Sequence, residues 1–493
     1  MSFRKRKPFL SINTLTLLFF LPAWLFGSAS WAMGLEGTWQ GSLDVGLVKF
    51  RVALVIKEDP QGNLSVLFNN IDDGLYNVPV TILHATDHSL KGQTLYGQIL
   101  SLKSRPKYHY LIGTYHQTHG NFEKPGASSS ITLYPGTDYL FPRLDAENQP
   151  VTAYTYQPPS KQEGRESASL PARGIPLIEL GVRKILDGTF PHIHGIVVVQ
   201  NDKRLVDETF YGYKDEDTHP VQSITKSIFS LLFGIGQDQK LFQTNQRLYD
   251  FFPAYRSRKD WDPQKDQITL EHLLTMSSGL DCSDWKNAQD CSWGMVRSDD
   301  WADYTLSKPL ARRPGSQFAY CGACLLPLSV ILEKASGMNV PDFAQKYLFD
   351  PLEIHSAQLV KAPSAGTTVV PVSFGLSLSP LDLAKIGLLI LHKGKWNGQQ
   401  VVSEDWIDRS TSAHVDKDQT NKKYDYGYLW WKTEMPAETK KIQVLMGWGV
   451  GGNYLFIVPD KELVCVVTGG NYNDAKAARG SLELFQNYVL PAF

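Results

Sequence analysis

A serine and a lysine, Ser223 and Lys226, lie three residues apart in a mostly apolar segment that runs from His219 to Gly234. A helix of this composition is typical of a domain interior, where a lysine is costly unless its amine gains a partner or loses its charge. Ser223 falls at the first helical positions, where a backbone N–H has no acceptor within the helix. The segment therefore offers a nucleophilic hydroxyl, an amine beside it and a donor for a developing oxyanion, which indicates serine hydrolase chemistry.

The Ser-x-x-Lys spacing is weak by itself, because it recurs elsewhere in the chain at Ser2 and Lys5, Ser104 and Lys107, and Ser283 and Lys286. None of those pairs begins an apolar helix. Ser223 also has an ordinary alternative role as a helix N-cap, which stabilises a helix by about 1 kcal/mol. That role leaves Lys226 on an apolar element unexplained, so the context favours the catalytic interpretation.

The composition of the 493-residue chain limits the classes of function. Hydrophobic residues make up 42% of it, enough for a large core and more than one domain. The formal net charge is −1 and the pI is about 6.9, so no electrostatic footprint for nucleic acid is present. The sequence has no His-Glu-x-x-His zinc helix, nucleotide loop or dinucleotide fingerprint. We therefore expect a small-molecule substrate, no cofactor and no metal.

The N-terminal residues have the pattern of a signal peptide. Arg4–Lys7 are basic, Leu10–Phe26 are largely apolar, and small residues lead to a cleavage site after Ala32. An uncleaved membrane anchor is the alternative, but polar residues and a proline interrupt the apolar run. We predict that residues 1–32 are removed on export, and that the mature protein is periplasmic or secreted with no stable membrane span.

Export makes disulfides permissible, and the chain has five cysteines. Cys282 and Cys291 flank a short polar loop that a disulfide could close. Cys321 and Cys324 have the spacing of a redox or metal site, but no second ligand pair or βαβ pattern accompanies them in the sequence. We therefore expect these two to be half-buried packing cysteines. The odd count leaves at least one free thiol.

The domain organisation follows from changes in local composition. Short β-rich runs separated by turn residues predict a small all-β module over residues 33–157, a sandwich or a barrel. No catalytic constellation lies in it, so we expect a binding or packing module. Residues 158–173 are rich in proline and charge and predict a linker. In residues 174–493, strands near both ends enclose a largely helical middle, which indicates one antiparallel sheet and an α+β fold.

Three motifs in the second region resemble those of one family. Ser223-Ile-Thr-Lys226 is similar to the first motif of the serine β-lactamase-like superfamily, Tyr320-Cys-Gly322 to its second and Gly449-Val-Gly-Gly-Asn453 to its third. The superfamily includes class C β-lactamases, D-alanyl-D-alanine carboxypeptidases, and related esterases and amide hydrolases. The order and spacing of the motifs match from about Gly174 to Phe493. The resemblance implies an antiparallel sheet flanked by helices, with a helical subdomain.

The resemblance also implies a role for each motif residue. Ser223 is the nucleophile, and Lys226 is the base that accepts its proton as a neutral amine, because burial and the positive helix terminus both disfavour the ammonium. Tyr320 shares the proton transfer and delivers a proton to the leaving group. The second oxyanion donor is a backbone N–H of the Gly449–Gly451 turn, and we select that of Val450. Each residue alone has a commoner structural role, but jointly they indicate catalysis.

Two departures from the family pattern concern the substrate. The second motif ends in Gly322, where β-lactamases carry an asparagine that binds substrate and lysine. The third has Gly447-Trp448-Gly449 in place of Lys-Thr-Gly or His-Thr-Gly, so no cation is expected to recognise a carboxylate on a β-lactam or peptide terminus. Trp448, with Trp430 and Trp431, could form an apolar acyl or alcohol pocket, and ordinary core packing is an equal alternative for these tryptophans.

The sequence thus favours an exported hydrolase that cleaves an ester or amide bond through an acyl-enzyme on Ser223. One alternative keeps the enzyme class and assigns a β-lactamase or a penicillin-binding D-alanyl peptidase. The other, from a different class, is a non-catalytic binding protein on the same scaffold.

Overall fold

The computed structural model describes residues 35–493, apart from residues 46–47, 73, 87, 96–97, 106–109, 117–127, 161–167, 361–369 and 438–439. The predicted signal peptide, residues 1–32, and the middle of the predicted linker lie outside the described residues. The described chain begins with a β-barrel and continues as a larger α+β region.

The barrel consists of eight antiparallel strands, β1 (Gly37–Val45), β2 (Val48–Glu58), β3 (Leu64–Asn70), β4 (Leu75–Thr86), β5 (Ser89–Thr94), β6 (Ile99–Arg105), β7 (Tyr110–His116) and β8 (Ser128–Pro135). It closes because β1 pairs with both β2 and β8. Completely buried side chains such as Leu54, Phe68 and Leu100 fill its interior. Of the two architectures that the sequence predicted, the barrel is the one present. Strand β5 has a weak signal in the sequence, because its Lys-Gly-Gln-Thr stretch is poor in β-forming residues.

The strands after the barrel are β9 (Ile193–Gln200), β10 (Lys203–Thr209), β11 (His219–Pro220), β12 (Gln358–Leu359), β13 (Leu376–Leu378), β14 (Lys395–Trp396), β15 (Gln399–Gln400), β16 (Asp425–Tyr426), β17 (Trp431–Ala437), β18 (Lys440–Gly449), β19 (Asn453–Val458) and β20 (Leu463–Gly469). Seven of them form one antiparallel sheet in the order β10-β9-β20-β19-β18-β17-β16. Strands from the start and the end of the region are therefore neighbours, which confirms the predicted α+β fold. β19 and β20 are buried along their whole length, which requires cover on both faces.

The α-helices are α1 (Ile175–Leu186), α2 (Ile224–Asp238), α3 (Leu270–Leu274), α4 (Ser292–Val296), α5 (Trp301–Leu306), α6 (Leu326–Ser336), α7 (Val340–Ala344), α8 (Pro380–Leu391), α9 (Glu404–Thr411) and α10 (Gly480–Leu484). α8 packs on β9, β19 and β20, α10 packs on β19 and β20, and α2 packs on β18. α3 to α7 form the helical subdomain. Within the described residues no single helix is long and apolar enough to cross a membrane; the segments Ala323–Ser336 and Val340–Phe349 pass that test only as a pair, bent by 74°.

A small three-stranded sheet, β11-β13-β12, fixes the entrance to α2. β11 immediately precedes α2, and its His219 pairs with Leu378 of β13. The N–H of Val221 then donates to the carbonyl of Leu376 at 3.0 Å. The residues just before β13 are thereby held beside the first turn of α2.

The barrel contacts the α+β region through a charged and aromatic cluster. The guanidinium of Arg51 lies 3.0 Å from the ring centroid of Tyr213, and it forms an ion pair with Asp72. Nearby, Gly74 approaches the chain that follows β20 so closely that a side-chain carbon on it would lie 2.9 Å from the backbone nitrogen of Tyr472. The barrel thus packs against the residues that follow β20 in the chain.

Candidate active site

Ser223 directly precedes α2, at a sharp turn of the backbone. Gln222 before it has φ of +52°, a left-handed conformation that non-glycine residues rarely adopt. Ser223 itself is helical, with φ −65° and ψ −7°, and its side chain makes no capping hydrogen bond. The N-cap role considered from the sequence is therefore not the role of this hydroxyl.

Lys226 is 3% exposed and directs its amine at Ser223. Its Nζ lies 2.8 Å from Ser223 Oγ and 2.8 Å from the carbonyl oxygen of Ser373. No carboxylate forms an ion pair with Lys226 in the part of the chain that the structure describes. The amine is thus held by neutral oxygen atoms, one of which is the hydroxyl of the expected nucleophile.

The carbonyl of Ser373 is a site group that sequence reasoning missed. Ser373 is 147 positions from Lys226 in the chain. It reaches the amine because β13, which begins three residues later, pairs with β11. A backbone carbonyl has no side-chain signature, so only the strand pairing reveals this contact.

Tyr320 lies beside Lys226, as the order of the motifs predicts. Lys226 Nζ is 5.0 Å from the centroid of the Tyr320 ring, and the tyrosine is 9% exposed. Among the described residues, no hydrogen bond joins the Tyr320 hydroxyl to Ser223 or to Lys226. The structure therefore places Ser223, Lys226 and Tyr320 close together. The Tyr320 ring lies next to the Lys226 amine without a hydrogen bond between them.

The glycine-rich turn between β18 and β19 lies against the residues that precede Ser223. A side-chain carbon at Gly449 would lie 2.5 Å from the carbonyl oxygen of Val221, so this approach requires glycine. Asn453 fixes the turn, since its Nδ2 donates to the carbonyl of Val450 at 2.8 Å. Val450 is 54% exposed at the tip of the turn.

Two further glycines allow the turn to pack closely on both sides. A side-chain carbon at Gly447 would lie 3.0 Å from Cγ2 of Ile224 in α2. Gly451 has φ of +91°, and a side-chain carbon there would lie 2.4 Å from the ring of Tyr472. Because Tyr472 also contacts Gly74, the barrel supports the back of this turn.

Asp284, which sequence reasoning also missed, occupies the space beside Gly322. Its Oδ2 accepts the N–H of Gly322 at 2.7 Å, and its own N–H donates to the carbonyl of Tyr320 at 2.8 Å. A side-chain carbon at Gly322 would lie only 3.1 Å from this carboxylate. The position where β-lactamases carry an asparagine is therefore filled from another loop. The one sequence signal for Asp284 is its place between two cysteines.

The tryptophans take different roles from those considered in the sequence. Trp430 is fully buried and Trp431 is 3% exposed, so neither forms an open pocket, whereas Trp448 is half-buried. Trp285 was not a candidate, yet it is 51% exposed and stacks on Tyr320 with centroids 5.2 Å apart and planes 10° apart. Trp431 stacks on Tyr320 as well, at 5.7 Å. The open aromatic surface at the site is thus that of Trp285.

Comparison with known proteins decides the family. The family model described as Beta-lactamase matches residues 188–484, which is more than half of the chain. The chain belongs to the beta-lactamase family. It is a serine hydrolase, in agreement with the resemblance that the motifs carried.

Several relatives have a hydrolase name. The chain is 23% identical over 284 residues to the 6-aminohexanoate-dimer hydrolase of Paenarthrobacter ureafaciens, covering 55% of this chain and 70% of that protein. It is 22% identical over 209 residues to the N-acetylmuramyl-L-alanine amidase of Bacillus subtilis strain 168, covering 38% of this chain and 47% of the amidase. EstCE1, a hydrolase with promiscuous acyltransferase activity, matches in structure with a TM-score of 0.52 at 15% identity, over 64% of this chain and 98% of EstCE1. That structural likeness shows the fold.

Four of the five cysteines of this beta-lactamase-family chain form two disulfides. Cys282 pairs with Cys291. Cys321 pairs with Cys324, so the expectation that these two are unpaired packing cysteines is wrong. The second cysteine pair, Cys282 and Cys291, lies next to them in the folded chain, although the sequence pattern did not indicate this. These sulfurs are bonded to one another in the oxidised protein and are not available as metal ligands. Cys465 is free, and burial raises the pKa of its thiol.

Two buried histidines lie beneath the entrance to α2. His219 is four residues before Ser223, and its Nε2 is 2.9 Å from Nδ1 of His194 in β9. Desolvation by burial lowers the pKa of His219 to about 4 and lowers the pKa of His194 well below its ordinary value. Both rings pack against Tyr213. The entrance to α2 therefore rests on imidazoles that are uncharged at neutral pH.

Proposed function

We propose that the chain is an exported serine hydrolase that cleaves an ester or amide bond through an acyl-enzyme on Ser223. The observation that carries this proposal is the 2.8 Å hydrogen bond between Ser223 Oγ and Lys226 Nζ at the buried start of α2. A serine hydroxyl is a weak nucleophile unless a base lies within hydrogen-bond reach. Lys226 meets that requirement.

In the proposed first step, Ser223 Oγ attacks the substrate carbonyl carbon while Lys226 takes the hydroxyl proton. The carbonyl oxygen becomes an oxyanion, which the backbone N–H groups of Ser223 and Val450 stabilise. As the tetrahedral intermediate collapses, the bond to the alcohol or amine breaks and the leaving group receives a proton through Tyr320. Water then attacks the acyl-enzyme with the proton transfers reversed, which releases the acid and restores Ser223.

The surroundings of Tyr320 favour a substrate without a carboxylate near the scissile bond. Trp285 offers an exposed aromatic face, and Gly447 stands where other members carry a cation. The carboxylate of Asp284 adds a negative group on the same side, which disfavours a second negative charge. The relatives named as a 6-aminohexanoate-dimer hydrolase and an amidase support a substrate of the amide class.

Labelling with a fluorophosphonate probe tests the nucleophile. Wild type is expected to be labelled, Ser223→Ala is expected to lose labelling, and Ser316→Ala, at an exposed position, serves as the matched control. A panel of p-nitrophenyl esters, p-nitroanilides and nitrocefin then ranks the substrates. Labelling that survives Ser223→Ala contradicts the proposal. Nitrocefin turnover faster than that of every ester and amide favours the β-lactamase alternative.

We also propose that residues 1–32 direct export and are removed after Ala32. The basic Arg4–Lys7 and the apolar Leu10–Phe26 support this, as do the two disulfides, which persist in oxidising compartments. Intact-mass analysis of the periplasmic fraction of a bacterial host is expected to give an N-terminus at Met33. Recovery of the full-length chain from the cytoplasmic fraction contradicts export.

A further inference from the structure

The two disulfides lie in contact with each other on the Tyr320 side of the site. Cys291 Sγ is 3.7 Å from Cys321 Sγ, and the sulfurs of Cys282, Cys321 and Cys324 all lie within 4.8 Å of one another. The four side chains are at most 2% exposed. They form one buried group, here named the sulfur cluster, and not two independent staples.

The loop from Cys282 to Cys291 forms one wall around Tyr320. Through Asp284 it holds the Tyr320 carbonyl and the Gly322 N–H, and through Trp285 it covers the phenol ring. Most of the loop residues are polar and only partly buried, so apolar packing contributes little to its order. A disulfide restricts such a loop by removing alternative conformations. The position of this wall therefore depends on the Cys282–Cys291 bond.

The Cys321–Cys324 bond fixes the turn that follows Tyr320. The N–H of Cys321 donates to Sδ of Met276 at 3.3 Å, and its Sγ accepts the N–H of Cys324 at 3.0 Å. Because Cys321 directly follows Tyr320, rotation of the Cys321 backbone would move the Tyr320 ring relative to Lys226. Both bonds thus converge on the position of one side chain.

We propose that the sulfur cluster is a redox-dependent positioning element for Tyr320, so that the hydrolase turns over at full rate only while disulfide bonds of the cluster hold the loop and the turn beside Tyr320, and slows when the cluster is fully reduced. The inference rests on the proposed role of Tyr320 as a proton donor. A dithiol reductant converts one disulfide of the cluster to two thiols and is itself oxidised to a disulfide, transferring two electrons and two protons. Because the sulfurs are buried, the reductant reaches them only when the loop opens, and reduction is slow.

Because the two disulfides are in contact, reduction of one can break the other through thiol–disulfide exchange. When Cys282–Cys291 is reduced, the Cys291 thiolate can attack Cys321 Sγ, which lies 3.7 Å away. The Cys291–Cys321 bond forms, the Cys321–Cys324 bond breaks, and Cys324 leaves as a thiolate that takes up the proton lost by Cys291. The two bonds therefore respond to reductant as a unit.

Kinetics of the full-length protein before and after reduction test the proposal. Excess dithiothreitol opens the cluster, and iodoacetamide followed by mass spectrometry counts the thiols. On reduction we expect kcat for a p-nitrophenyl ester to fall about 10-fold or more and KM to change less than about threefold, with unchanged far-UV circular dichroism. Cys465→Ala, which keeps both disulfides, is expected to respond like wild type.

Two variants separate positioning of Tyr320 from a general structural role. In Tyr320→Phe, reduction is expected to change kcat by less than about twofold, because the group being positioned is absent. In Cys282→Ser/Cys324→Ser, oxidised glutathione is expected to join Cys291 to Cys321, itself becoming two glutathione thiols. That cross-link should restore kcat to within about threefold of wild type, whereas the same variant in the reduced state stays slow.

Several outcomes overturn the proposal. The proposal is contradicted if the reduced protein keeps its turnover, or if the Cys291–Cys321 cross-link forms without restoring kcat. It is also contradicted if reduction lowers kcat in Tyr320→Phe as much as in wild type. Reduced protein that binds one equivalent of Zn²⁺ at full activity contradicts it as well, because a four-cysteine metal site then accounts for the cluster. Failure of the fluorophosphonate to label oxidised wild type removes the proposed function together with the inference. Labelling with redox-independent turnover removes the inference alone.

Discussion

The two sides of the active site are built in different ways. On one side, Ser223 and Lys226 are placed by α2, which packs on β18, where Gly447 and Gly449 allow a close approach to Ile224 and Val221. On the other side, Tyr320 lies outside any helix or strand and is held by two disulfides and a loop. The first side depends on close packing of regular elements, and the second on covalent cross-links. We therefore expect abrupt losses from changes on the helix side and graded losses on the loop side.

The largest effect is expected from Lys226→Met on the helix side. Removing the base leaves the Ser223 hydroxyl without a proton acceptor, so kcat for an ester should fall about 10³- to 10⁴-fold. Steady-state kinetics and the rate of fluorophosphonate labelling measure this. Lys265→Met is the matched control, because Lys265 is also a buried lysine bonded to a backbone carbonyl, that of Leu306, and should leave kcat unchanged. A loss of less than tenfold in Lys226→Met contradicts the assignment of the base.

The next effect is expected from Gly449→Ala, which tests the close packing itself. The added carbon would lie 2.5 Å from a backbone oxygen, so the turn must shift away from Ser223. We expect a fall of about 10²-fold in kcat and a loss of about 1–3 kcal/mol in the free energy of unfolding.

Gly447→Ala gives the milder comparison on the same strand. Its added carbon would meet the methyl group of Ile224 at 3.0 Å, and a side chain can move more easily than backbone. We expect less than about a tenfold loss in kcat. Equal losses in Gly447→Ala and Gly449→Ala would show that the turn is not placed by its contact with Val221.

A smaller effect is expected from Trp285→Ala on the loop side. The substitution removes the ring that stacks on Tyr320 and the exposed aromatic face of the site. For an aromatic ester we expect KM to rise about fivefold to tenfold and kcat to fall about threefold, with Trp285→Phe recovering most of both. Kinetics with paired aromatic and acetyl esters measure it. An equal change for both esters would mean that the ring does not contact the substrate.

The helix side could be predicted from the sequence because its residues carry their own signatures. Ser223 and Lys226 have reactive side chains at a helical spacing, and the turn at Gly449 is marked by its glycines. The start of α8 also has a local signature, because Ser379 caps it and Pro380 follows. Local chemistry was enough for these elements.

The loop side could not be predicted in the same way, since its contacts join segments that are distant in the chain. The short loop between Cys282 and Cys291 indicated that a disulfide could close it, but no local signal pairs Cys321 with Cys324. Asp284 and Trp285 acquire their roles only when the loop folds against Tyr320. Local signals also fail nearby. The run from Ile268 to Leu280 has the composition of a single helix, but α3 spans only Leu270–Leu274, and Met276 just beyond it has φ of +55°.

The smallest effect is expected from a change of pH, which alters stability through the buried histidines His219 and His194 at the entrance to α2. His219 faces His194, the ring of Tyr213 and the charges of Asp72 and Arg51. Burial lowers the pKa of His219 from 6.5 to about 4, so the unfolded chain binds a proton below about pH 6.5 while the folded chain does not. Stability is therefore constant above pH 6.5 and falls as the pH approaches 4.

Between pH 7 and pH 5 this difference corresponds to about 2 kcal/mol for His219, and the lowered pKa of His194 acts in the same direction, so the first unfolding transition in urea should shift to lower denaturant. His194→Gln removes one titrating ring and is expected to reduce that shift, while kcat at pH 7 stays near the wild-type value. His392→Gln is the control, because that imidazole is half exposed and pairs with Asp202 on the surface. If His194→Gln and His392→Gln lose the same stability on acidification, the buried pair is not what makes the helix side acid-sensitive. A shift confined to the wild type and the control instead places the acid-sensitive contact at the entrance to α2, away from the disulfide-held side.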